Sequence, residues 1–421
     1  MKNIFTTAGV AALAVAGFQA TCSAQSVTVD DSKWWQVSAS LRGFYDDNYT
    51  IAPEPFDRES FGFEVRPGFD VGHKGEQHLV KLSTVYSGRY FEDRDEDPWD
   101  HGFMADLTGQ YDLTENHVLR LVDNFSYTSE PTLLDRGSVV TLLRADGTNL
   151  RNLGDLAYTG QMTRLFGLSV GYVNTFYDFD QEGAGSYSAL LDRMEHLVKG
   201  ETRWTVSPTL AGILGYWHEW VGFTGDEVIG GPGSTIMSDS RDSESHFFIG
   251  GADYTVSPHC FISVRGGAQN VTYVNVPGEP DQWNPFGDVS STFEYSEGSF
   301  FRVGAKYGRN RTDFPGEYGA ITAYDQVTYD QETATGYGVI SHKLTEKLTA
   351  RASGQLQYGT FEGGGLDEQA ECLYIIGATL VYDLSQYLAL EGGYNYDRVD
   401  SDDPNRSYSR NRVFLGVRGQ F

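Results

Sequence analysis

Tyr111-Asp112-Leu113-Thr114, Trp204-Thr205-Val206-Ser207, Tyr254-Thr255-Val256-Ser257 and Tyr382-Asp383-Leu384-Ser385 are four copies of one short pattern, with a looser fifth at His342-Lys343-Leu344-Thr345. Each copy closes one segment of alternating polar and apolar residues and opens another. Residues two apart in an extended chain share a face, so the aromatic and aliphatic residues of each copy point the same way. The Ser or Thr that follows bonds its own backbone in a tight turn. The repeat therefore predicts antiparallel hairpins that hold a Tyr or Trp at one level of a sheet.

Working outward from these turns, alternating segments run from residues 33–47 to 408–421 and total about eighteen. Among them are 152–164, 286–296 and 325–344. Connections alternate in length. Those at 73–76, 114–116, 165, 207–208, 257–259, 297–299, 345–347 and 385–386 are short, whereas 131–151, 225–240, 276–285, 314–324 and 400–407 are long. Short turns at one rim, long loops at the other and an even strand number describe an all-β, transmembrane antiparallel barrel.

Sidedness follows from period 2. Phe103, Ala105, Leu107, Gly109, Tyr111 and Leu113 share one face of their segment, and Asp106, Thr108, Gln110 and Asp112 the other. Val413, Leu415, Val417, Gly419 and Phe421 alternate likewise with Arg410, Arg412, Arg418 and Gln420. A final amphipathic segment closed by Phe resembles the signal that barrels present to their assembly machinery, with Val417 and Phe421 as its apolar marks.

Lys2, the apolar stretch Ala8–Phe18 and the small residues up to Ala24 have the layout of a secretory signal peptide, giving an expected division into a leader, 1–24, and a barrel, 25–421. Thr21 before Cys22 does not suit lipidation. The composition of 49 Gly, 26 Tyr, 25 Phe and 7 Trp against 3 Cys favours strands and interfacial aromatics over a disulfide scaffold. A formal charge of −27 argues against nucleic acid, whose phosphates are held by clustered Lys and Arg. The histidines are scattered, and no G-x-S-x-G elbow or phosphate-cradling glycine loop occurs, so neither catalytic residues nor a cofactor nor a metal is expected.

Basic and acidic residues on the strands belong inside, because a lipid-facing Arg or Lys near the midplane costs roughly 2–4 kcal/mol. The expected lumen residues are Arg42, Glu64, Arg66, Lys81, Arg89, Asp106, Arg120, Lys199, Glu201, Arg203, Arg265, Glu294, Arg302, Lys306, Asp330, Glu332, Arg351, Glu391 and Arg418. Their signs nearly balance, which predicts weak charge selectivity, since rings of one sign create a preference. The surplus of acid is expected in the outer loops, solvated or sharing divalent cations with lipopolysaccharide.

Tyr45-Asp46-Asp47-Asn48, Pro53 and then Ser60-Phe61-Gly62-Phe63-Glu64-Val65-Arg66-Pro67-Gly68-Phe69-Asp70-Val71 resemble the opening of the putative beta-barrel porin-2 family. The resemblance implies a bacterial outer-membrane protein, with some members linked to exopolysaccharide export. The leading expectation is a porin-like channel for passive diffusion of small hydrophilic solutes. An accessory barrel in polysaccharide secretion, with inward rings such as Phe44 stacking on sugars, and an adhesive surface protein acting through acidic loops are the alternatives. Expected partners are outer-membrane lipid and lipopolysaccharide, the barrel assembly machinery, and small solutes or polysaccharide.

Overall fold

The computed structural model describes residues 34–129, 132–134, 143–145, 147–276, 278, 281–314, 316 and 319–421. The expected leader, 1–24, lies outside the described residues. The strands are β1 (Trp35–Asp46), β2 (Ser60–Lys74), β3 (His78–Phe91), β4 (Trp99–Thr114), β5 (His117–Thr128), β6 (Thr132–Leu134), β7 (Leu143–Ala145), β8 (Asn149–Gln161), β9 (Phe166–Phe179), β10 (Arg193–Ser207), β11 (Leu210–Phe223), β12 (Ser243–Ser257), β13 (Cys260–Tyr273), β14 (Gln282–Ser296), β15 (Ser299–Arg311), β16 (Asp330–Lys343), β17 (Leu348–Glu362), β18 (Ala370–Asp383), β19 (Leu388–Ser401) and β20 (Tyr408–Gln420). A short helix, α1 (Tyr187–Leu191), stands before β10.

Eighteen of these strands form one antiparallel sheet, and β6 pairs only with β7 as a small hairpin in the loop above β5. The sheet closes where β1 pairs with β20, from Ser38↔Gln420 to Asp46↔Arg412, and backbone bonds join Val37 and Phe421 in both directions at 3.0 and 2.8 Å. Closure leaves no sheet edge to be satisfied by lipid, which cannot hydrogen-bond a backbone.

The repeated pattern forms its turns as its chemistry dictates. At each copy the Ser or Thr oxygen accepts the backbone N–H two residues on: Asn116 to Thr114, Thr209 to Ser207, His259 to Ser257, Lys347 to Thr345 and Tyr387 to Ser385, at 3.2–3.3 Å. Thr163 does the same with Leu165, a sixth copy that lacks the preceding aromatic. In the hairpins closed by Thr114, Ser207 and Ser257 the ladder slips by one residue, a bulge that lets the strand twist into the turn.

Exposure alternates with the pleat. Leu41, Leu214 and Leu415 are 58, 62 and 72% exposed on the outside of a closed cylinder, where no second layer covers them. Tyr111, Trp204, Tyr254 and Tyr382 ring the short-turn rim, and Phe61, Phe63, Trp99 and Trp283 stand near the long-loop rim. An apolar band between two aromatic girdles is the lipid surface of an outer-membrane-type barrel. Four lipid-facing imidazoles are satisfied by phenols: Tyr86 bonds His101, Tyr158 bonds His117 and Tyr172 bonds His196 across adjacent strands, and Tyr295 reaches His342 over β15, at 2.5–2.8 Å.

Three boundaries depart from expectation. β14 begins at Gln282 rather than 286, so Pro285 is inside a strand. It is tolerated because β14 meets β15 only from Gly287↔Tyr307 onward, and above that level one side of β14 has no ladder to lose. Segment 325–344 gives up its first residues to a 3₁₀ turn at Tyr324–Gln326, and β16 starts at Asp330. β8 starts at Asn149 rather than 152, shortening the long connection before it.

Candidate functional site: the charged inner wall and its outer closure

The inner wall is built by polar residues that alternate with the lipid-facing ones, and register brings many of them together. Glu64 on β2 lies between Arg42 on β1 and Arg89 on β3, at 3.2 and 3.3 Å, with Arg66 at 3.9 Å and the Ser87 hydroxyl donating at 2.7 Å. Arg42 turns its Nε to Glu391 on β19 at 2.6 Å. On the far wall Asp253 on β12 holds Arg265 at 2.9 Å and also Arg203, while Glu201 stands 3.8 Å from Arg265. Lys199 lies 5.4 Å from the Trp217 ring and Lys306 5.9 Å from Phe286, two inward aromatics that pack with Phe247.

Other expected residues sit nearer the short-turn rim and are half-exposed. Lys81, Asp106, Arg120, Arg302, Arg351 and Arg418 share the inward pleat with the groups above. Asp106 accepts from Asn124 at 2.7 Å and Arg302 donates to Thr292 at 3.2 Å. Glu294 is inward in register but exposed beside its turn. Glu332 departs from expectation: Thr333 and Thr335 hold the buried face of β16, and Glu332 instead takes the phenol of the outward Tyr307. Asp330, next along the same face, is fully buried because β14 and β15 part there, and Arg309 turns into the gap to meet it at 3.2 Å. A cavity of about 150 Å³ opens beside this pair, lined by Gln282, Tyr324, Tyr329 and Glu362.

Toward the long-loop rim the charges become densely paired and buried. Arg410 bonds Asp46 at 3.0 Å, Arg412 bonds Asp397 at 2.7 Å, and Arg311 on β15 reaches Glu219 on β11 at 3.0 Å, four strands away. A contact spanning that many strands crosses the interior rather than following the wall. Arg410 and Arg412 stand on the face expected to be polar, in period 2 with Arg418.

Above them the long loops fold inward and build an apolar core. Leu190 and Leu191 of α1, Ile229 and Ile236 of the β11–β12 loop, Val276, and Ile321 and Val327 of the β15–β16 loop pack on the inward Tyr177, Phe179, Val271, Tyr273 and Tyr329. The loops are also stitched by backbone bonds, Gly231 N–H to Gly319 at 2.7 Å, Thr235 to Ile321 at 2.9 Å and Gly185 to Val228 at 2.9 Å. Gly185 adopts φ +69°, and a Cβ there would lie 2.7 Å from the Gly230 carbonyl, so only glycine allows the approach. Arg241, 1% exposed, donates to the carbonyls of Leu190 and Thr312 in two other loops. Burial, with Arg193 adding repulsion, brings its pKa down to about 10.

The other half of the mouth has its own small core, Ile51 of the β1–β2 loop with Leu373, Val399 and Tyr408. Arg406 of the β19–β20 loop joins the halves. It bonds Glu371 at 2.8 Å and Asp313 of the β15–β16 loop at 2.9 Å, and stacks 5.1 Å from Phe314. Burial alone would lower its pKa, but the two carboxylates outweigh that and hold it above the ordinary guanidinium range.

Asp192, between α1 and β10, supplies a pH dependence. Its carboxylate accepts from Phe179 N–H at 2.7 Å and Ser188 at 2.6 Å, yet burial pushes its pKa from 3.8 up to about 6, with Asp178 and Glu227 adding repulsion. A carboxyl whose folded pKa is raised stabilises the fold fully below its unfolded value and loses that contribution as pH rises toward 6. Limited proteolysis of the 224–242 loop should therefore be slower at pH 5 than at pH 7.5, and Asp192→Asn should level the two rates.

Comparison with known proteins adds family and fold neighbours. Residues 326–421, which contain β16 to β20, match the family model described as Putative beta-barrel porin 2. No curated protein matches the chain. Among solved structures it is similar to OccAB4 of Acinetobacter baumannii, at 13% identity and TM-score 0.42, covering 92% of this chain and 99% of that one. It is also similar to a BenF-like porin of Pseudomonas fluorescens Pf-5, at 10% identity and TM-score 0.44 with the same coverages, and to the outer membrane protein opdK of Pseudomonas aeruginosa, at 12% identity, TM-score 0.40 and again 92 and 99%. Across β16 to β20 the chain thus carries the pattern of the family Putative beta-barrel porin 2, within a closed eighteen-stranded transmembrane barrel.

Proposed function

We propose that the protein is an outer-membrane channel for small hydrophilic solutes whose outer mouth is narrowed by its own loops. The observation that carries the reading is the inner wall: polar and charged side chains line an eighteen-stranded cylinder, a size at which wall residues alone leave an aqueous space. The pairing of Arg42, Arg203 and Arg265 with Glu64, Glu391 and Asp253 mixes the signs along this part of the wall, which supports weak charge selectivity. The girdles suit contact with outer-membrane lipid and lipopolysaccharide, and the exposed Val417 and Phe421 suit presentation to the assembly machinery.

The solute reading is favoured over sugar stacking at Phe44, whose ring is already engaged by Phe91 at 5.2 Å and by Arg89 at 5.8 Å. Planar-bilayer recording of the refolded barrel tests it. Small conductance steps with similar potassium and chloride permeabilities are expected. Absence of any step above the bare bilayer, from protein shown to be folded, would remove the channel.

A further inference from the structure

The outer wall carries a group of donors that permeation does not use. His218 on β11 and His246 on β12 are direct partners in the antiparallel ladder and project to the lipid side, both half-buried. Their Nδ1 atoms are 3.2 Å apart, and the Tyr216 hydroxyl lies 2.8 Å from His246 Nδ1. Trp220, two residues beyond His218, stacks between its ring and that of His196, each at 5.2 Å. The group lies toward the long-loop rim, at the level where an aromatic girdle meets water.

Imidazole nitrogens bind borderline cations at about 2.0–2.1 Å, so two donors of one ion stand about 2.9–3.4 Å apart between octahedral and tetrahedral geometry. The 3.2 Å between the two imidazole nitrogens falls within that range, and the 2.8 Å from the phenol to His246 is just short of it. Among the described residues no three His, Cys, Asp or Glu side chains are grouped to hold a metal, but the third donor here is a phenol. Sequence spacing shows only the Tyr216 and His218 pair of β11, because His246 sits on the neighbouring strand. The geometry points to a transition-metal site formed by Tyr216, His218 and His246, taking a divalent cation of the copper or zinc class at the outer membrane surface. Imidazole pairs suit both metals, and copper binds most tightly in the first-row order. Asn270, opposite His246, and Glu244, opposite Trp220, are the flanking polar groups in register. The site is independent of the channel reading.

Untagged full barrel in neutral phosphatidylcholine nanodiscs, titrated with Cu²⁺ alone, tests the assignment by electron paramagnetic resonance and calorimetry. One equivalent with hyperfine coupling to two nitrogens is expected. A His218→Gln/His246→Gln double variant should lose it, and Tyr216→Phe should keep the two-nitrogen signal while weakening binding by about tenfold. Heat-modifiable gel mobility shows that each variant remains folded. A wild-type barrel without a stoichiometric site, a double variant that binds as before, or loss of the signal in His73→Gln/His78→Gln would overturn the assignment, and unchanged affinity in Tyr216→Phe would overturn the three-donor set.

Discussion

Replacing Arg406 by Met is expected to open the outer mouth while leaving the barrel folded. The guanidinium links the loop after β19 to the β15–β16 loop, and its removal takes this cation away from Glu371, 4% exposed, and from Asp313. Breaking a buried ion pair from one side costs about 3–5 kcal/mol, because the remaining charge stays desolvated. The loops can escape that cost by moving into water, which the β-strands cannot do. Single-channel conductance should therefore rise, and a protease should cut within 312–329, while heat-modifiable mobility is unchanged. Arg406→Lys, which keeps one charge but loses the fork that serves two carboxylates, should fall between. Equal conductance in all three proteins would show that the loops do not set the mouth.

The second large effect lies on the other face of the wall. Leu415→Arg puts a charge at an outward position, 72% exposed, in the middle of β20, whereas Ser353→Arg puts the same charge on the inward pleat of β17. The first should lower the barrel's unfolding free energy by roughly 2–4 kcal/mol in lipid. The second should change it little, because the inner wall is polar and holds water. Urea unfolding in phosphatidylcholine vesicles, read by tryptophan fluorescence, separates the two.

What the sequence disclosed and what it hid divide along the range of the interactions. Strand faces, turns and closure were legible because they rest on local rules: Ser207 bonds Thr209 two residues on, and Leu41 and Arg42 differ in face because they are adjacent. Turn chemistry placed Tyr111, Trp204, Tyr254 and Tyr382 at one level without reference to any distant residue. The cap was not legible. Ile229, Ile321 and Val327 stand in loops with no period, and only the folding of separate connections into one mouth makes them a core. The acidic surplus was expected to be solvated in those loops, but Asp313 and Glu227 are engaged, with Arg406 and with Ser186 and Gly183 N–H. Arg241 carries no pattern either, since its partners are backbone carbonyls of other loops.

Glu332 shows the limit of alternation itself. A carboxylate in a strand is expected inward on energetic grounds, but near the rim the penalty fades, and a neighbouring Tyr307 phenol satisfies it outside. Asp330 reached the interior by another route, through the parting of β14 and β15, which no local rule encodes.

The assignment of faces is tested most directly by fluorescent labels at Leu415→Cys and Ser353→Cys, each in a background with Cys260 and Cys372 changed to Ser, in vesicles of brominated lipid. The label at 415 should be quenched by the brominated chains and be insensitive to aqueous iodide, and the label at 353 should behave in the opposite way. Iodide quenching at 415 together with lipid quenching at 353 would contradict a polar lumen inside a lipid-facing wall.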